Sequence, residues 1–400
     1  MVSEYRCDKK MIQSLLFQLP PTAYHKFFSI SLKRPLLQSD LSQIAELYFS
    51  LNDEYLWSLA VSNKVDSVVA EALGLALEKI PDHWRDAFAS AVNKMSYYLT
   101  ELDRLSKVLA NQGISAIVLE NGALARGVVS VAGRFRFGDF ELLVEPSAIG
   151  VIHKLLLENG YLCNTIYQNT DNSPSFTSGR IEFERKIDIY TLRLNIQTSF
   201  VARRWVQPWQ EPSPSELFKR SRPVDGSHIR ILGIEDFLLQ LCVHNASHGF
   251  IHPPGIRLHM DVDWYIRATS IDWNHFVDLA KQYNAKTIVF LALSIPKSIF
   301  NTPVPGHVLS QLHISTWKEA CIAYFFRKVD LLIPGNFRPM ALWKYVILNL
   351  LFLDSFRDIW RGIFPDSAWM QKHYGFTNKL LLPLYHGHRI ANLAFRRVSS

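Results

Sequence analysis

Apolar positions along this chain follow two periods, and the change between them divides it into three segments. Up to about residue 111 the spacing is three and four, as in Leu41-Ser-Gln-Ile-Ala-Glu-Leu-Tyr-Phe49 and Val65-Asp-Ser-Val-Val-Ala-Glu-Ala-Leu-Gly-Leu-Ala-Leu77. That spacing lays apolar residues along one face of a helix. Pro81-Asp-His-Trp84 opens a longer helix that runs through Leu109 and stops at Asn111-Gln-Gly113, where a glycine can leave the helical conformation. From about 112 to 232 strand periods take over. Ile114–Leu119 reads as a strand, followed by Glu120-Asn-Gly122 and the helix-like Ala123–Val128. Arg134-Phe-Arg-Phe-Gly-Asp-Phe-Glu-Leu-Leu-Val144 reads as a second strand. Pro146 starts a helix that Gly160 ends, and strands are expected at Tyr161–Tyr167, Arg180–Phe183 and Lys186–Thr191. Gln168–Ser175 and the proline-rich Gln207–Pro214 read as loops. From Leu232 onward the pattern is helical again. The expected division is 1–111 helical, 112–232 α/β and 233–400 helical, an α+β fold with a mixed sheet between two helical regions.

Composition narrows this little. With 400 residues and 48% hydrophobic content the chain can bury one large core or two to three smaller ones. A balance of 43 basic to 36 acidic residues, +7, suits an anionic ligand, but there is no Lys/Arg run of the kind that marks a nucleic-acid arm, and nucleic acid is not the expected partner. Cys7, Cys163, Cys242 and Cys321 are far apart with no CxxC, which suggests reduced thiols rather than a disulfide framework. The charged first ten residues lack a signal-peptide core, and the most apolar run, Tyr345–Leu353, is half a bilayer span. A cytoplasmic protein is expected, with that run as a buried helix.

The candidate chemistry centres on Asp139 and Glu141. Two residues apart on a strand, they project from one face. Held together they repel unless a cation lies between them, and a hard divalent ion such as Mg²⁺ is the usual answer. Upstream, strand, Gly122 turn and helix N-terminus form a place for a phosphate. Asp188, flanked by Ile187 and Ile189, looks out of place in a strand unless it has a partner. If that strand lies beside the one carrying Asp139, three acids meet at one metal site, as phosphoryl or nucleotidyl transfer requires. Asp139, Glu141 and Asp188 are then the catalytic and metal-binding candidates. Gly122 would let the backbone approach the phosphates, and Arg136 or Arg134 would neutralise them. The competing reading is an edge strand with solvated acids.

A second constellation is His244-Asn-Ala-Ser-His248 with His252, Arg257, His259 and Asp261. His244 and His248 share one helix face, a metal-ligand spacing, so a Zn- or Mn-dependent hydrolase is one alternative. A helix joint whose histidines bond to backbone and to Asp261 is another, and a contribution to an acceptor pocket is a third. There is no Gly-x-Ser-x-Gly and no Gly-rich Lys-Ser/Thr loop.

The order of these features resembles the uncharacterised nucleotidyltransferase family of bacteria, a branch of the polymerase-β-like nucleotidyltransferase superfamily. The family's "L-x-x-x-GI" is met by Leu109-Ala-Asn-Gln-Gly-Ile114, and its strand and Lys-Gly turn by Val118-Leu-Glu-Asn-Gly122. Its "R-x-x-D-x-D-LLV" is met by Arg136–Val144, its "hDhH" strand by Lys186–Tyr190, and its "E-D-x-LL-x-L-x-x-H" helix by Glu235–His244. A "D-W" helix and an "FP…M…RY" tail correspond to Asp272-Trp273 and Phe364–Tyr374, so the likeness runs over about 40–375. Three departures stand out: Glu120-Asn121 in place of the Lys, Glu141 where Asp is commoner, and Tyr190 in place of His. The resemblance implies a minimal nucleotidyltransferase core that uses Mg²⁺ (or Mn²⁺) to move an NMP group from an NTP, ATP included, to a hydroxyl or phosphate. It places Asn121, Gly122, Arg134 and Arg136 at the nucleotide. Because relatives tend to be encoded near polysaccharide or peptide natural-product genes, it suggests a small-molecule, sugar or peptide acceptor. It leaves open a degenerate relative that kept the fold and lost turnover.

Overall fold

The computed structural model describes residues 22–128, 138–164, 180–200, 211–327, 329–333 and 342–395. Arg134, Arg136, the 168–175 loop and the first half of the 207–214 loop lie outside these.

Among the described residues five helices come first: α1 Ala23–Ser31, α2 Gln38–Ser50, α3 Asp53–Ser62, α4 Asp66–Ala76 and α5 Asp82–Ala110. The α/β segment follows as β1 Ile117–Val118, α6 Glu120–Gly127, β2 Asp139–Leu143, α7 Ile149–Glu158, β3 Leu162–Cys163, β4 Arg180–Ile187, β5 Tyr190–Gln197, α8 Pro214–Arg220, β6 Arg222–Pro223 and β7 Arg230–Ile231. The rest is helical: α9 Ile234–Ser247, α10 Ile256–Ala268, α11 Trp273–Gln282, α12 Lys286–Phe300, α13 Gly306–Gln311, α14 Thr316–Phe326, α15 Leu342–Leu351, α16 Phe356–Ile363, α17 Ser367–Tyr374 and α18 Leu382–Phe395. The fold is α+β.

The 29 residues of α5 bury Trp84, Ala91, Met95, Tyr98, Leu102, Leu105 and Leu109, a stripe at helical spacing. Gly113, at φ +68, takes the left-handed turn that ends this segment. Tyr98 ties the helix to the sheet by donating to the Thr191 carbonyl at 2.8 Å. Glu101, on the same stripe, accepts from Tyr161 at 2.8 Å and pairs with Arg104 and Arg185. Burial alone would raise its pKa, but these partners outweigh burial and hold the carboxyl below its usual range.

The seven strands form one mixed sheet in the order β3-β4-β5-β2-β1-β7-β6. β2 runs antiparallel to β1 and parallel to β5. Phe140 and Leu142 on β2, and Leu192, Leu194 and Ile196 on β5, are buried. The opposite face places Asp139 beside Arg193 and Glu141 beside Asn195. One continuous buried cluster runs from Phe27 through the sheet to Phe352.

Three local expectations are corrected. The strand ahead of α6 is only Ile117–Val118, and Glu120-Asn-Gly122 is no turn, because the helix begins at Glu120. Lys186–Thr191 is not one strand. β4 and β5 pair as a hairpin from Ile187↔Tyr190 outward, and Asp188-Ile189 is its two-residue turn. α15, expected to be buried, is only partly so, with Leu348 at 1% and Ile347 at 41% exposure.

Candidate functional site

A cleft of about 270 Å³ lies between the polar ends of β2 and β4, the start of α6, and α9–α10. Its sheet wall carries Asp139, Glu141 and Arg180, and its helical wall His244, His248, Arg257 and Asp261. Lys64, just beyond α3, also lines it.

Asp139 and Glu141 share one face of β2, as their spacing predicts. Asp139 starts the strand, and its side chain is 43% exposed. Its Oδ2 accepts from Asn195 Nδ2 at 2.9 Å. Glu141 is buried deeper, and its carboxyl is pushed well above the usual range, first by burial and then by the neighbouring Glu120 carboxylate. The Arg180 guanidinium reaches across β5 to both acids, 3.3 Å from Glu141 Oε1 and 4.0 Å from Asp139 Oδ2. Glu182 Oε1 holds its outer side at 3.1 Å.

Glu120 is the first residue of α6 and has a φ of +51, a left-handed conformation that a residue with a Cβ rarely adopts. It directs the carboxylate at His244, whose Nδ1 is 2.6 Å from Oε1. Burial pushes this carboxyl up to about 7; Asp139 adds to the rise, while a bond with Glu141 and the Arg180 charge oppose it. Arg257 donates to Asn121 Oδ1 at 3.0 Å and lies 3.9 Å from Asp261. Asp261 is pushed up to about 6 by burial, against the pull of Arg257 and His244.

Among the predicted residues, the structure brings Asp139, Glu141 and Asn121 into one cleft. It does not bring Asp188 there. Asp188 sits at the hairpin tip, five residues before Arg193, the β5 partner of Asp139. Its charge is felt by the exposed Tyr97 hydroxyl, which it raises. The place beside the acidic pair is taken by Leu194-Asn-Ile-Gln197, which has the alternation of the "hDhH" pattern with amides where Asp and His were expected. At Gly122 a Cβ would come within 2.6 Å of Val118 Cγ2 and 2.9 Å of Phe140 Cδ1, so its bare backbone lets α6 close on the sheet.

Sequence reasoning missed Arg180, Asn195 and Lys64. Their signals were faint, an arginine at a strand start and an amide in an apolar alternation, and only strand pairing gives them meaning. In the second constellation, His244 and His248 are 4.9 Å apart between ring centroids and face the cleft. His259 does not join them. It is fully buried, donates from Nε2 to the Phe250 carbonyl at 2.8 Å, and burial pushes it down to about 4. Among the described residues no group of three or more His, Cys, Asp or Glu is arranged to hold a metal ion.

The family model described as uncharacterised nucleotidyltransferase matches residues 50–301. The chain belongs to that nucleotidyltransferase family. The match takes in α3 to α12, and so every residue lining the cleft, while the resembling tail at 364–374 lies beyond it. No curated protein and no solved structure matches the chain. Among the described residues of this nucleotidyltransferase-family protein, no helix is long and apolar enough to cross a membrane.

The donor set fits a divalent cation in one limited way. Asp139 and Glu141 offer two carboxylates, and the third position is the amide Asn195. Mg²⁺ commonly keeps several waters and binds through one or two carboxylates plus substrate phosphates. Two acids are therefore enough for an ion that shares its coordination with a triphosphate, and too few for a preformed all-protein site.

Proposed function

We propose that the cleft binds a nucleoside triphosphate and transfers its NMP group to an acceptor hydroxyl or phosphate, releasing pyrophosphate. The observation that carries this reading is the Asp139–Glu141 pair, set on one strand face in the sheet wall of a cleft that also holds Arg180, Arg257 and Lys64. Mg²⁺ or Mn²⁺ held by Asp139 and Glu141 would neutralise phosphate charge that these acids would otherwise repel. Arg180 and Arg257 offer planar, multiply donating groups suited to phosphate oxygens. Asn195 fixes the Asp139 carboxylate by its amide. Asn121, where the Lys of the family pattern is missing, holds Arg257 at the mouth of α6 and so supplies a cation indirectly. His244, oriented by Glu120, lies where an acceptor group could be positioned. The acceptor class carried over from the resemblance is a sugar, a small molecule or a peptide, and the setting polysaccharide or peptide natural-product biosynthesis in the bacterial cytoplasm.

The experiment is pyrophosphate release from each of the four NTPs with Mg²⁺ or Mn²⁺, wild type against Asp139→Asn. Release that vanishes in the variant supports the reading and names the nucleotide. A second reading, nucleotide binding without turnover, is favoured by Asn195 in the place of a third acid and by Glu120 in place of a cation. Under it all four NTPs give no pyrophosphate, a triphosphate still raises Tm, and Asn195→Asp creates release.

A further inference from the structure

Arg180 occupies the space beside Asp139 and Glu141 that a cation would be expected to fill. Its guanidinium is shared among three carboxylates, Glu141 at 3.3 Å, Glu182 at 3.1 Å and Asp139 at 4.0 Å. These acids come from two strands with β5 between them. Glu182 faces Asn195 on β5, and Asn195 faces Glu141 on β2, so the three residues form one row across the sheet. Arg180, one turn of the pleat away on the same face of β4, leans over that row. It is a positive charge set among one buried carboxylate, one half-exposed and one exposed, and together with His244 it offsets the repulsion between Glu141 and Glu120.

We infer that Arg180 is an internal counter-cation that competes with the divalent ion for Asp139 and Glu141 and is drawn off them by the phosphates of the incoming nucleotide. The inference rests on the nucleotidyltransferase reading above. A guanidinium and a divalent ion cannot both sit against the same two carboxylates, about 4 Å apart, without repelling each other, because little solvent lies between them to screen the two charges. A triphosphate removes the conflict. It offers Arg180 new oxygens in bidentate geometry and leaves the carboxylates to the ion. Arg180 is therefore a positioning residue for the metal and a direct contact for the phosphates, and its removal should move the two affinities in opposite directions.

The test measures two affinities on the full chain. Mn²⁺ binding in the absence of nucleotide is followed by the EPR signal of the free ion. Binding of α,β-methylene-ATP in excess EDTA is followed by calorimetry. Arg180→Gln is expected to tighten Mn²⁺ binding by about 5- to 150-fold, the usual range of coupling between sites, and to weaken the metal-free analogue by a comparable factor. Arg180→Lys, which keeps one charge but cannot span both acids, should fall between, and it carries the test if the glutamine variant does not fold. A merely structural role would weaken both ligands together, and that result overturns the inference. Equal Mn²⁺ affinity in wild type and Arg180→Gln, lost in Asp139→Asn, overturns the inference and leaves the nucleotidyltransferase reading standing. No Mn²⁺ binding and no analogue binding in any variant overturns both.

Discussion

The two walls of the cleft are built from similar residue types and treat them differently. On the helical wall α10 ties some of its polar groups locally: His259 Nε2 donates to the Phe250 carbonyl and Arg257 is held between Asn121 and Asp261, while His259 Nδ1 and Asp261 Oδ1 stay buried without a hydrogen bond among the described residues. On the sheet wall the polar groups are left in mutual tension. Glu141 and Glu120 face each other, Glu141 Oε2 is buried without a hydrogen bond of normal geometry among the described residues, and Asp139 is half exposed. Both walls keep buried polar atoms unpaired among the described residues, but only the sheet wall sets one carboxylate against another, and that is charge a cation or ligand can resolve.

Breaking the sheet wall should cost function and not stability. Glu141→Gln keeps the shape and removes one of two opposed buried carboxylates. Pyrophosphate release should fall by about 10²–10³-fold, the usual loss when one electrostatic group is removed from a reacting centre, which is roughly 3–4 kcal/mol of barrier. Tm should hold or rise, because a desolvated charge has gone. A variant that keeps its activity would remove Glu141 from the chemistry.

The helical wall should show the reverse. His259 is pushed down to about 4 from 6.5, so the folded protein resists its protonation. Its contribution to stability is complete above pH 6.5 and is lost as pH falls towards 4, by up to about 3 kcal/mol. Asp261, raised to about 6, takes up its proton first in the folded state and so works in the opposite sense over nearly the same range. The difference between wild type and His259→Gln isolates the histidine, since glutamine can still donate to Phe250. Denaturant midpoints at pH 7.5 and 5 should separate the two proteins at the lower pH, and parallel curves would count against the buried-histidine argument.

Between the walls lies α6, and its seat on the sheet can be tested at Gly122. Gly122→Ala pushes a methyl against Val118 and Phe140, which should cost about 1–3 kcal/mol. The effect on release should come through a shift of Glu120 and Asn121, which α6 carries. Full activity at unchanged Tm would mean that the helix can slide.

The sequence shows most clearly what depends on neighbours along the chain. The stripe of α5, the stop at Gly113 and the shared face of Asp139 and Glu141 all follow from spacing within one segment. Strand partners follow from contacts between distant residues. Nothing within Arg180–Gln197 says that the chain reverses at Asp188-Ile189, because the turn lacks the Asn-Gly or Asp-Gly pair that usually marks such reversals. Ile187-Asp-Ile189 therefore reads as a half-buried strand, and the aspartate at its centre looks like a ligand. The residues that do face the acidic pair, Arg180 and Asn195, are unremarkable until β4, β5 and β2 are laid side by side.

Asp188 gives the smallest expected effect and the sharpest check on that pairing. Its φ of +53 is a left-handed turn conformation, which aspartate and asparagine tolerate about equally. Asp188→Asn should therefore leave the hairpin, Tm and pyrophosphate release within about twofold of wild type, the scatter expected for a surface change of under 0.5 kcal/mol. The visible consequence should be local: the Tyr97 hydroxyl, raised mainly by the Asp188 charge, should titrate at lower pH in the variant. A loss of activity as deep as that of Glu141→Gln, with Tm unchanged, would mean that the β4–β5 hairpin refolds so that Asp188 reaches the cleft during the reaction. That outcome would shift the third acid back onto β5 and remove the reason for reading Asn195 as its replacement.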